Sequence, residues 1–202
     1  MSEHYFTSSP TAAAQERPRS FLIRGREHAV TTAGAVFSPN HLDRGTQVLL
    51  SHVPDPPTTG VFLDLGCGWG PIALALADAA PEATVLAVDV NERAVDLTAR
   101  NTSAAGLGNI RALMADDLLA ELRSSSATVD LIWSNPPVRI GKEALHSLLL
   151  TWLALLSDKG EAWFVVQKNL GADSLMAWLN SQSWSATRAA SSKGFRILHV
   201  HR

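Results

Sequence analysis

The stretch "LDLGCGWGPIAL", residues 63–74, carries three glycines at alternate positions between two apolar segments. Alternate glycines let the backbone turn sharply and let a ligand approach without meeting a Cβ atom. Pro71 follows the last of them, and proline is tolerated in the first turn of a helix. The pattern therefore predicts a strand, a tight loop through Gly66, Gly68 and Gly70, and a helix whose N-terminus faces that loop.

Around this loop, short apolar runs alternate with helical patterns. The runs are "VFLDL" (61–65), "ATVLAVDV" (83–90), "NIRALMA" (109–115), "VDLIW" (129–133) and "EAWFVVQ" (161–167). Runs that are apolar throughout are typical of parallel strands covered by helices on both faces. The final runs, "SWSATRAA" (183–190) and "FRILHVHR" (195–202), have only a short connection, which indicates an antiparallel pair. We therefore predict an α/β, Rossmann-like doubly wound sheet of parallel strands with a C-terminal antiparallel hairpin.

The chain has 202 residues, which suits one domain with an N-terminal appendage. Residues 8–20 are rich in small polar side chains and interrupted by prolines, and from them we predict that residues 1–20 form a flexible lead-in. We expect residues 21–202 to form the domain. Residues 21–60 would supply two short strands and a helix capped by Asp43, and residues 61–202 the Rossmann-like core.

Composition narrows the class of protein. The net charge of −2 gives no overall basic field, although it leaves room for a local basic patch. Cys67 is the single cysteine, which excludes an internal disulfide and a cysteine-based zinc site. Among the histidines, only His199 and His201 have a spacing seen in metal ligands; we interpret them as structural or surface residues and predict no metal site. No apolar run has transmembrane length and the first residues lack the order of a signal peptide, so we expect a cytoplasmic protein.

Acidic side chains follow successive strands of the predicted sheet. Asp64 ends the first strand, Asp89 ends the second, and Asp116 and Asp117 follow the third. The carboxyl ends of parallel strands share one edge, where open α/β sheets bind ligands. There Asp89 could accept from both hydroxyls of a ribose, Asp116 from an adenine amino group, and Asp64 would favour an amine. Each aspartate alone could equally be a helix cap or a solvated strand end, but their common edge favours a binding site.

Two adenosine-containing cofactors compete for this site. Dinucleotides are bound by G-x-G-x-x-G, whereas this chain has G-x-G-x-G, and a pyrophosphate gains nothing from a carboxylate beside the loop. An adenosine with a zwitterionic amino-acid tail suits both features better. We therefore predict S-adenosylmethionine as the cofactor, bound by Asp64, Gly66, Gly68, Gly70, Asp89, Asp116 and Asp117.

The segment "SNPPVRIGK", residues 134–142, ends the fourth strand at the same edge. An exocyclic amino group on a base is a poor nucleophile because its lone pair is delocalised into the ring. The side-chain oxygen of Asn135 and the carbonyl of Pro136 could accept its two N–H groups and turn the lone pair toward a methyl donor. Pro136 and Pro137 would hold these acceptors rigidly. We predict these three residues as catalytic; the alternative is that the prolines merely end a strand.

Basic residues follow the two prolines. Arg139 and Lys142 could bind phosphate at the rim of the site, or could be ordinary surface charges. A cation is unfavourable at a helix N-terminus, which favours a function for Lys142. A second basic cluster, interpreted as surface with RNA contact as the alternative, consists of Arg17, Arg19, Arg24 and Arg26.

Several segments carry a family likeness. "LDLGCGWGPIAL", "AVDVNERAVDLTARN" and "SNPPVRIGK" resemble the small-methyltransferase (MTS) domain of RsmC-like ribosomal RNA guanine-N2 methyltransferases. "HYFTSSP", "AVFSPNHLDRGTQVLL" and "KGFRILHV" are similar to the same family, so the likeness spans nearly the whole chain. Well-known members carry an additional N-terminal domain, and 202 residues are too few for it. We therefore expect the short, single-domain branch of the family.

The resemblance implies a class I methyltransferase fold and further site residues. It implies a segment folding over the cofactor side that contains Phe37, Ser38, Asp43, Gly45 and Thr46. From it we assign Thr46 to the cofactor. Members commonly carry an aromatic residue after the two prolines, where it can stack on a flipped base, and this chain has Val138 there. The residues assigned to the substrate are Phe37, Val138, Arg139 and Lys142.

We therefore expect an S-adenosylmethionine-dependent methyltransferase for an exocyclic amino group. The resemblance makes guanine N2 of ribosomal RNA the leading target and RNA the leading partner. The acceptor geometry would equally serve a protein glutamine amide or a DNA adenine, and a non-catalytic domain that binds cofactor or RNA is a further alternative.

Overall fold

The computed structural model describes residues 15–34 and 36–202. The strands within them are β1 (Glu16–Ile23), β2 (Arg26–Ala33), β3 (Val61–Leu65), β4 (Thr84–Asp89), β5 (Ile110–Met114), β6 (Val129–Ser134), β7 (Leu156–Gln167), β8 (Ser185–Ser192) and β9 (Phe195–His201). The helices are α1 (Arg44–His52), α2 (Pro71–Ala79), α3 (Glu92–Ala104), α4 (Ala115–Ser125), α5 (Lys142–Leu153) and α6 (Ala172–Ser181).

The central sheet has seven strands in the order β5-β4-β3-β6-β7-β9-β8. Strands β5, β4, β3, β6 and β7 pair in parallel, and β9 is antiparallel to both β7 and β8. The predicted α/β doubly wound sheet with a C-terminal antiparallel hairpin is confirmed. Because the parallel strands run the same way, their carboxyl ends form one edge of the sheet, where the ligand site is predicted.

Strands β1 and β2 form a separate antiparallel sheet of two strands. The predicted flexible lead-in of residues 1–20 is therefore wrong from Glu16 onward, because residues 16–20 pair with residues 29–33 along the ladder. Glu16 is also held by Arg100 of α3 at 2.7 Å. The rest of the lead-in, residues 1–14 with the segment "HYFTSSP", lies outside the described residues.

Helices cover both faces of the central sheet, and the strands alternate their side chains between two apolar layers. Phe62 of β3 packs into the layer on one face and Leu63 into the layer on the other. The first layer contains apolar residues of β1, β2, α1, α2 and α3, and the second contains those of α4, α5 and α6. Burial on both faces explains why the strand sequences are apolar throughout. Across the described ranges, no helix combines the length and the apolar character needed to span a membrane.

Side chains cap two of the helices, and the predicted cap of α1 is confirmed. Asp43 caps α1, where its carboxylate accepts from the backbone N–H of Thr46 at 3.1 Å. Asn91 caps α3, where its side chain accepts from the backbone N–H of Arg93 at 3.0 Å. Each cap satisfies a helix N–H group that has no partner within the helix.

Helices α4 and α6 are not among the elements predicted from the sequence. Each buries two leucines four residues apart, Leu118 with Leu122 in α4 and Leu175 with Leu179 in α6. Such a pair lies on one helix face, and each helix also has an aspartate in its first turn. The sequence therefore contains a helical pattern in each of these segments, but each pattern depends on only a few residues.

Candidate active site

A cavity of about 420 Å³ lies at the carboxyl edge of the sheet. Its volume is within the range of ligand-binding pockets. On the β4 side it is lined by the glycine loop and the residues after β4; on the β7 side, by residues of β7, β9 and α5. Asn135, Pro136 and Pro137, after the central strand β6, line it between these two sides.

The glycine loop requires backbone conformations that favour glycine. Gly66 has φ of 83° and Gly68 has φ of 59°, both in the left-handed region. A Cβ atom added to either residue would meet no atom within 4 Å, so both face open space. Gly70 is the N-cap residue of α2, and a Cβ there would lie 3.2 Å from Thr98. The first two glycines therefore expose backbone to the cavity, whereas the third allows close packing.

Asp89 connects the loop to the end of β4. Its Oδ2 accepts from the backbone N–H of Gly68 at 3.0 Å, and its Oδ1 from that of Asn91 at 3.0 Å. Burial raises the pKa of this carboxyl, and the backbone hydrogen bonds oppose the rise. A carboxylate oxygen can accept more than one hydrogen bond, so both oxygens can still accept from a ligand.

Asp64 is fully buried and does not line the cavity. Its Oδ2 accepts from the backbone N–H of Ala73 in α2 at 2.9 Å, while Oδ1 is buried without a hydrogen-bond partner among the described residues. Burial raises the pKa of Asp64 to about 8, and the nearby charge of Asp89 adds to the rise. Asp64 thus lies beneath the ligand surface, and its predicted contact with the cofactor stays a prediction.

Asn135 is held by the N-terminal end of α1. Its Nδ2 donates to Oδ2 of Asp43 at 2.7 Å and to Oγ1 of Thr46 at 3.2 Å. Its Oδ1 has no donor among the described residues. The amide oxygen is therefore available as an acceptor at a residue that lines the cavity.

The two prolines form a tight turn. Pro137 has φ −75° and ψ 73°, and the N–H of Val138 donates to the carbonyl of Pro136 at 2.8 Å. These values describe an inverse γ-turn, which fixes the direction of the Pro136 carbonyl. A carbonyl oxygen has two lone pairs, so one remains for a ligand.

The predicted site residues divide by position. Those that line the main cavity are Phe37, Gly66, Gly68, Asp89, Asn135, Pro136, Pro137, Val138 and Arg139. Thr46 lines a smaller adjoining cavity of about 30 Å³ under the glycine loop. Those that line neither are Asp64, Gly70, Asp116, Asp117 and Lys142. Asp116 and Asp117 are exposed in the first turn of α4, next to Ala115, which does line the cavity. The ligand roles of all these residues stay predictions.

The β7 side of the cavity contains residues that the sequence interpretation missed. Its apolar wall includes Leu148 and Trp152 of α5, Val165 of β7 and Phe195 of β9. Gln167 adds a polar side chain. Gln167 ends β7 at the same edge as Asp89 ends β4, so the rule that identified the aspartates also applies to it.

Exposed cations lie around the mouth of the cavity on this side. Arg139 lines the cavity, Lys168 follows Gln167, and Lys193 lies in the turn between β8 and β9. The N–H of Lys168 donates to the carbonyl of Gly194 at 2.8 Å, which places Lys168 beside that turn. Arg139, Lys168 and Lys193 form what we call the cationic rim; in the described part of the chain none of them has an ion-pair partner.

Other candidate sites are less favourable. In the second basic cluster, Arg24 pairs with Asp55 and Arg26 with Asp78, so these charges are partly neutralised within the chain. Within residues 15–34 and 36–202, no group of three or more His, Cys, Asp or Glu side chains is arranged to hold a metal ion.

Comparison with known proteins identifies the family. Residues 27–199 match the methyltransferase small domain. The chain is 34% identical to the uncharacterized protein YbxB of Bacillus subtilis, over 98% of both proteins. It is 36% identical to ribosomal RNA small subunit methyltransferase C of Shewanella sp. (strain MR-4), over 67% of this chain but only 39% of that protein.

Among solved structures, the 16S rRNA N2 methyltransferase RsmC of T. thermophilus, in complex with AdoMet and guanosine, aligns with a TM-score of 0.75 and 22% identity. The alignment covers 96% of this chain and 52% of that one. An identity this low shows the shared fold alone, whereas the family match and the sequence relatives confirm the resemblance. The chain belongs to the methyltransferase small domain family.

Proposed function

We propose that this protein transfers a methyl group from S-adenosylmethionine to guanine N2 in ribosomal RNA. The observation that carries the proposal is the free amide oxygen of Asn135 between the glycine loop and an apolar pocket. The family, and relatives named as ribosomal RNA methyltransferases, support the same reaction class. A cytoplasmic location, where ribosomal RNA is found, belongs to the proposal.

The β4 side of the cavity fits the cofactor. Gly66 and Gly68 leave the loop open, and Asp89 keeps free lone pairs for two ribose hydroxyls. Val88, Val90 and Ala94 offer apolar surface to an adenine ring. The N-terminus of α2 follows the loop and suits the carboxylate of an amino-acid tail.

When bound, S-adenosylmethionine would supply an electrophilic methyl group: the guanine nitrogen lone pair would form the new N–C bond while the C–S bond broke and left its electron pair on sulfur. The protein must present that lone pair, because conjugation with the ring makes the amino group a weak nucleophile. Asn135 Oδ1 and the second lone pair of the Pro136 carbonyl would accept its two N–H groups. The amine would then be held out of conjugation, and the surplus proton would pass to water. Positioning therefore accounts for most of the catalysis we propose.

The β7 side fits a planar base. Trp152, Leu148 and Phe195 provide apolar surface, and the amide of Gln167 can both donate and accept hydrogen bonds. Val138 cannot stack as an aromatic ring would. Phe37 lines the cavity with 47% of its surface exposed, and could cover the base instead.

The cationic rim favours a nucleic acid over a protein amide as the substrate. Arg139 and Lys168 flank the pocket, where phosphates next to a flipped nucleotide would lie. Because the net charge of the whole chain is −2, this positive charge is a local feature of the cavity and does not reflect an overall basic surface.

The test is methyl transfer to fractionated cell material. The purified protein is incubated with methyl-tritiated S-adenosylmethionine and RNA, DNA or protein from cells that lack it. The labelled fraction is then digested to monomers. We expect label in N2-methylguanosine from ribosomal RNA, and labelling that is slower by about 100-fold or more when Asn135→Ala replaces the wild-type protein.

The other outcomes separate the alternatives. Label in a protein glutamine or in DNA adenine would preserve the role of Asn135 and overturn the substrate. Cofactor binding without label in any fraction would favour the non-catalytic alternative.

A further inference from the structure

Asp43 connects the N-terminal part of the chain to Asn135, 92 residues away in sequence. One oxygen, Oδ2, accepts both from the backbone N–H of Thr46 at 3.1 Å and from the side-chain nitrogen of Asn135 at 2.7 Å. The Thr46 hydroxyl accepts from the same nitrogen at 3.2 Å. Both atoms that accept a hydrogen bond from the Asn135 side-chain nitrogen therefore lie at the start of α1.

This arrangement selects one orientation of the amide. An ionised carboxylate accepts hydrogen bonds and donates none, so the nitrogen of Asn135 must face Asp43. Without such a partner, a half-turn about the terminal side-chain bond would exchange nitrogen and oxygen, because that torsion is broad and nearly two-fold. The exchanged amide would present N–H groups to the N–H groups of the target amine. Asp43 prevents a repulsive arrangement at the position where an acceptor is needed.

Gly45 leaves the space in which this contact forms. A Cβ atom at Gly45 would lie 2.9 Å from Oδ2 of Asp43, 3.1 Å from Nδ2 of Asn135 and 3.2 Å from Oδ1 of Asn135. Gly45 is a helical residue whose φ is not positive, so its backbone conformation does not require glycine. The close approach of two side chains requires it instead.

We propose that Asp43 is a positioning residue, which fixes the Asn135 amide with its oxygen toward the target amine, and that Gly45 makes this contact sterically possible. The inference rests on the proposed function, since it concerns the same site. Asp43 acts through Asn135 and takes no proton from the substrate. The end of α1 is thereby part of the active site as well as of the fold.

Two variants separate positioning from helix capping. Asp43→Ser keeps a good N-cap residue, but its shorter side chain does not reach Asn135. We expect kcat to fall by about 10- to 100-fold, with the dissociation constant for S-adenosylmethionine within about two-fold of wild type. Asp43→Asn keeps one oxygen that can accept from both donors, but it removes the charge and replaces the second carboxylate oxygen by an NH2 group. We expect it to recover most of the activity.

The double variants test whether Asp43 acts through Asn135. In an Asn135→Ala background, Asp43→Ser should change kcat by less than about two-fold, because the side chain it orients is gone. Equal losses in the two backgrounds would overturn the proposal. So would an Asp43→Ser variant as active as wild type, since the shorter side chain does not reach Asn135 and would leave its amide unoriented.

A measurement without substrate keeps the contact testable if the proposed function fails. In protein labelled with [15N]asparagine, the Asn135 side-chain signal is assigned by its loss in Asn135→Ala. We expect Asp43→Ser to shift this signal and to speed exchange of its amide hydrogens with water. An unchanged signal would overturn the proposed contact. Absence of methyl transfer by wild type, with the signal shifted as expected, would overturn the proposed function alone.

Discussion

Gly68 and Asp89 hold each other across the carboxyl ends of two adjacent strands. The backbone N–H of Gly68 donates to Oδ2 of Asp89 at 3.0 Å, so the carboxylate that ends β4 also fixes the loop that follows β3. The same carboxylate accepts from the N–H of Asn91, which caps α3. A ligand contacting Asp89 would thus meet a carboxylate whose direction is already fixed by the backbone on both sides.

Asp89→Ala should therefore weaken cofactor binding in two ways, through lost contacts to the ribose and through a less ordered loop. We expect the dissociation constant for S-adenosylmethionine to rise by about 10- to 100-fold, since hydrogen bonds to a charged group contribute about 1.5–3 kcal/mol each. Isothermal titration calorimetry measures this directly. An affinity equal to that of wild type would show that Asp89 does not contact the cofactor.

Asn135→Ala should separate catalysis from cofactor binding. It removes the acceptor that we assign to the target amine, and loss of one such group costs about 100-fold or more in turnover. The β4 side of the cavity is unchanged, so S-adenosylmethionine should bind as in wild type. Single-turnover methyl transfer and calorimetry check the two halves of this prediction. Loss of cofactor binding together with turnover would contradict the assigned role.

Gly45→Ala should lower turnover through its effect on Asp43 and Asn135, because we assign no ligand contact to Gly45 itself. The added methyl group would lie 2.9 Å from Asp43 Oδ2, so the Asp43–Asn135 pair must move apart. We expect a decrease in kcat of about ten-fold or more, because small displacements of positioning groups are costly. Gly108→Ala is the matched control: its Cβ would meet no atom within 4 Å, and its φ is not positive. Equal activity of the two variants would show that the space at Gly45 is not needed.

The sequence predicted those parts of the site that depend on strand ends. Asp89 and Asn135 each stand at or just beyond the end of an apolar run, and parallel strands necessarily bring such positions to one edge. The same rule placed Asp64 at the ligand surface, but its side chain is fully buried beneath the loop. Strand position determines the edge on which a residue lies, whereas the depth of its side chain depends on packing by α2.

The contact between Asp43 and Asn135 could not be predicted in the same way. The sequence identifies Asp43 as a helix cap, which it is, and a local pattern gives no indication of a second partner 92 residues away. The contact depends on how α1 packs against the central sheet. Long-range side-chain contacts of this kind require the assembled fold.

The stability of the protein should fall as the pH rises from the pKa of Asp64 in the unfolded state to its pKa in the folded state. Burial raises the pKa of Asp64 from 3.8 to about 8, so between these values the folded state holds a proton that the unfolded state has lost. The free energy of unfolding then decreases with rising pH, from about pH 4 to about pH 8, and this contribution is constant above that range.

Asp64→Asn should remove this dependence while keeping an oxygen acceptor for the N–H of Ala73. We therefore expect the variant to gain stability relative to wild type between about pH 5 and about pH 8. Asp89 also has a raised pKa and contributes in the same direction, so the difference between the two proteins is the informative quantity. Urea unfolding of the wild type and the variant at about pH 5 and about pH 8 measures this difference in the free energy of unfolding. A difference that does not change with pH would show that Asp64 ionises normally.

The cationic rim should determine RNA affinity rather than chemistry. Lys168 and Lys193 are exposed, lie side by side through the Lys168–Gly194 backbone hydrogen bond, and have no ion-pair partner among the described residues. Replacing either by alanine should raise KM for RNA several-fold and leave kcat and cofactor affinity unchanged. If each lysine contacts one phosphate, the slope of log KM against log salt should fall by about one for each replacement.

Lys159→Ala is the matched control for this prediction. Lys159 is equally exposed but lies near the start of β7, at the opposite end of the strand from Gln167. Its replacement removes the same charge from the protein, so any effect of net charge alone would appear in both variants. If only the rim variants lower the slope of log KM against log salt, the RNA backbone contacts the protein at the cavity mouth. Equal slopes in all variants would mean that RNA approaches the active site over a different surface.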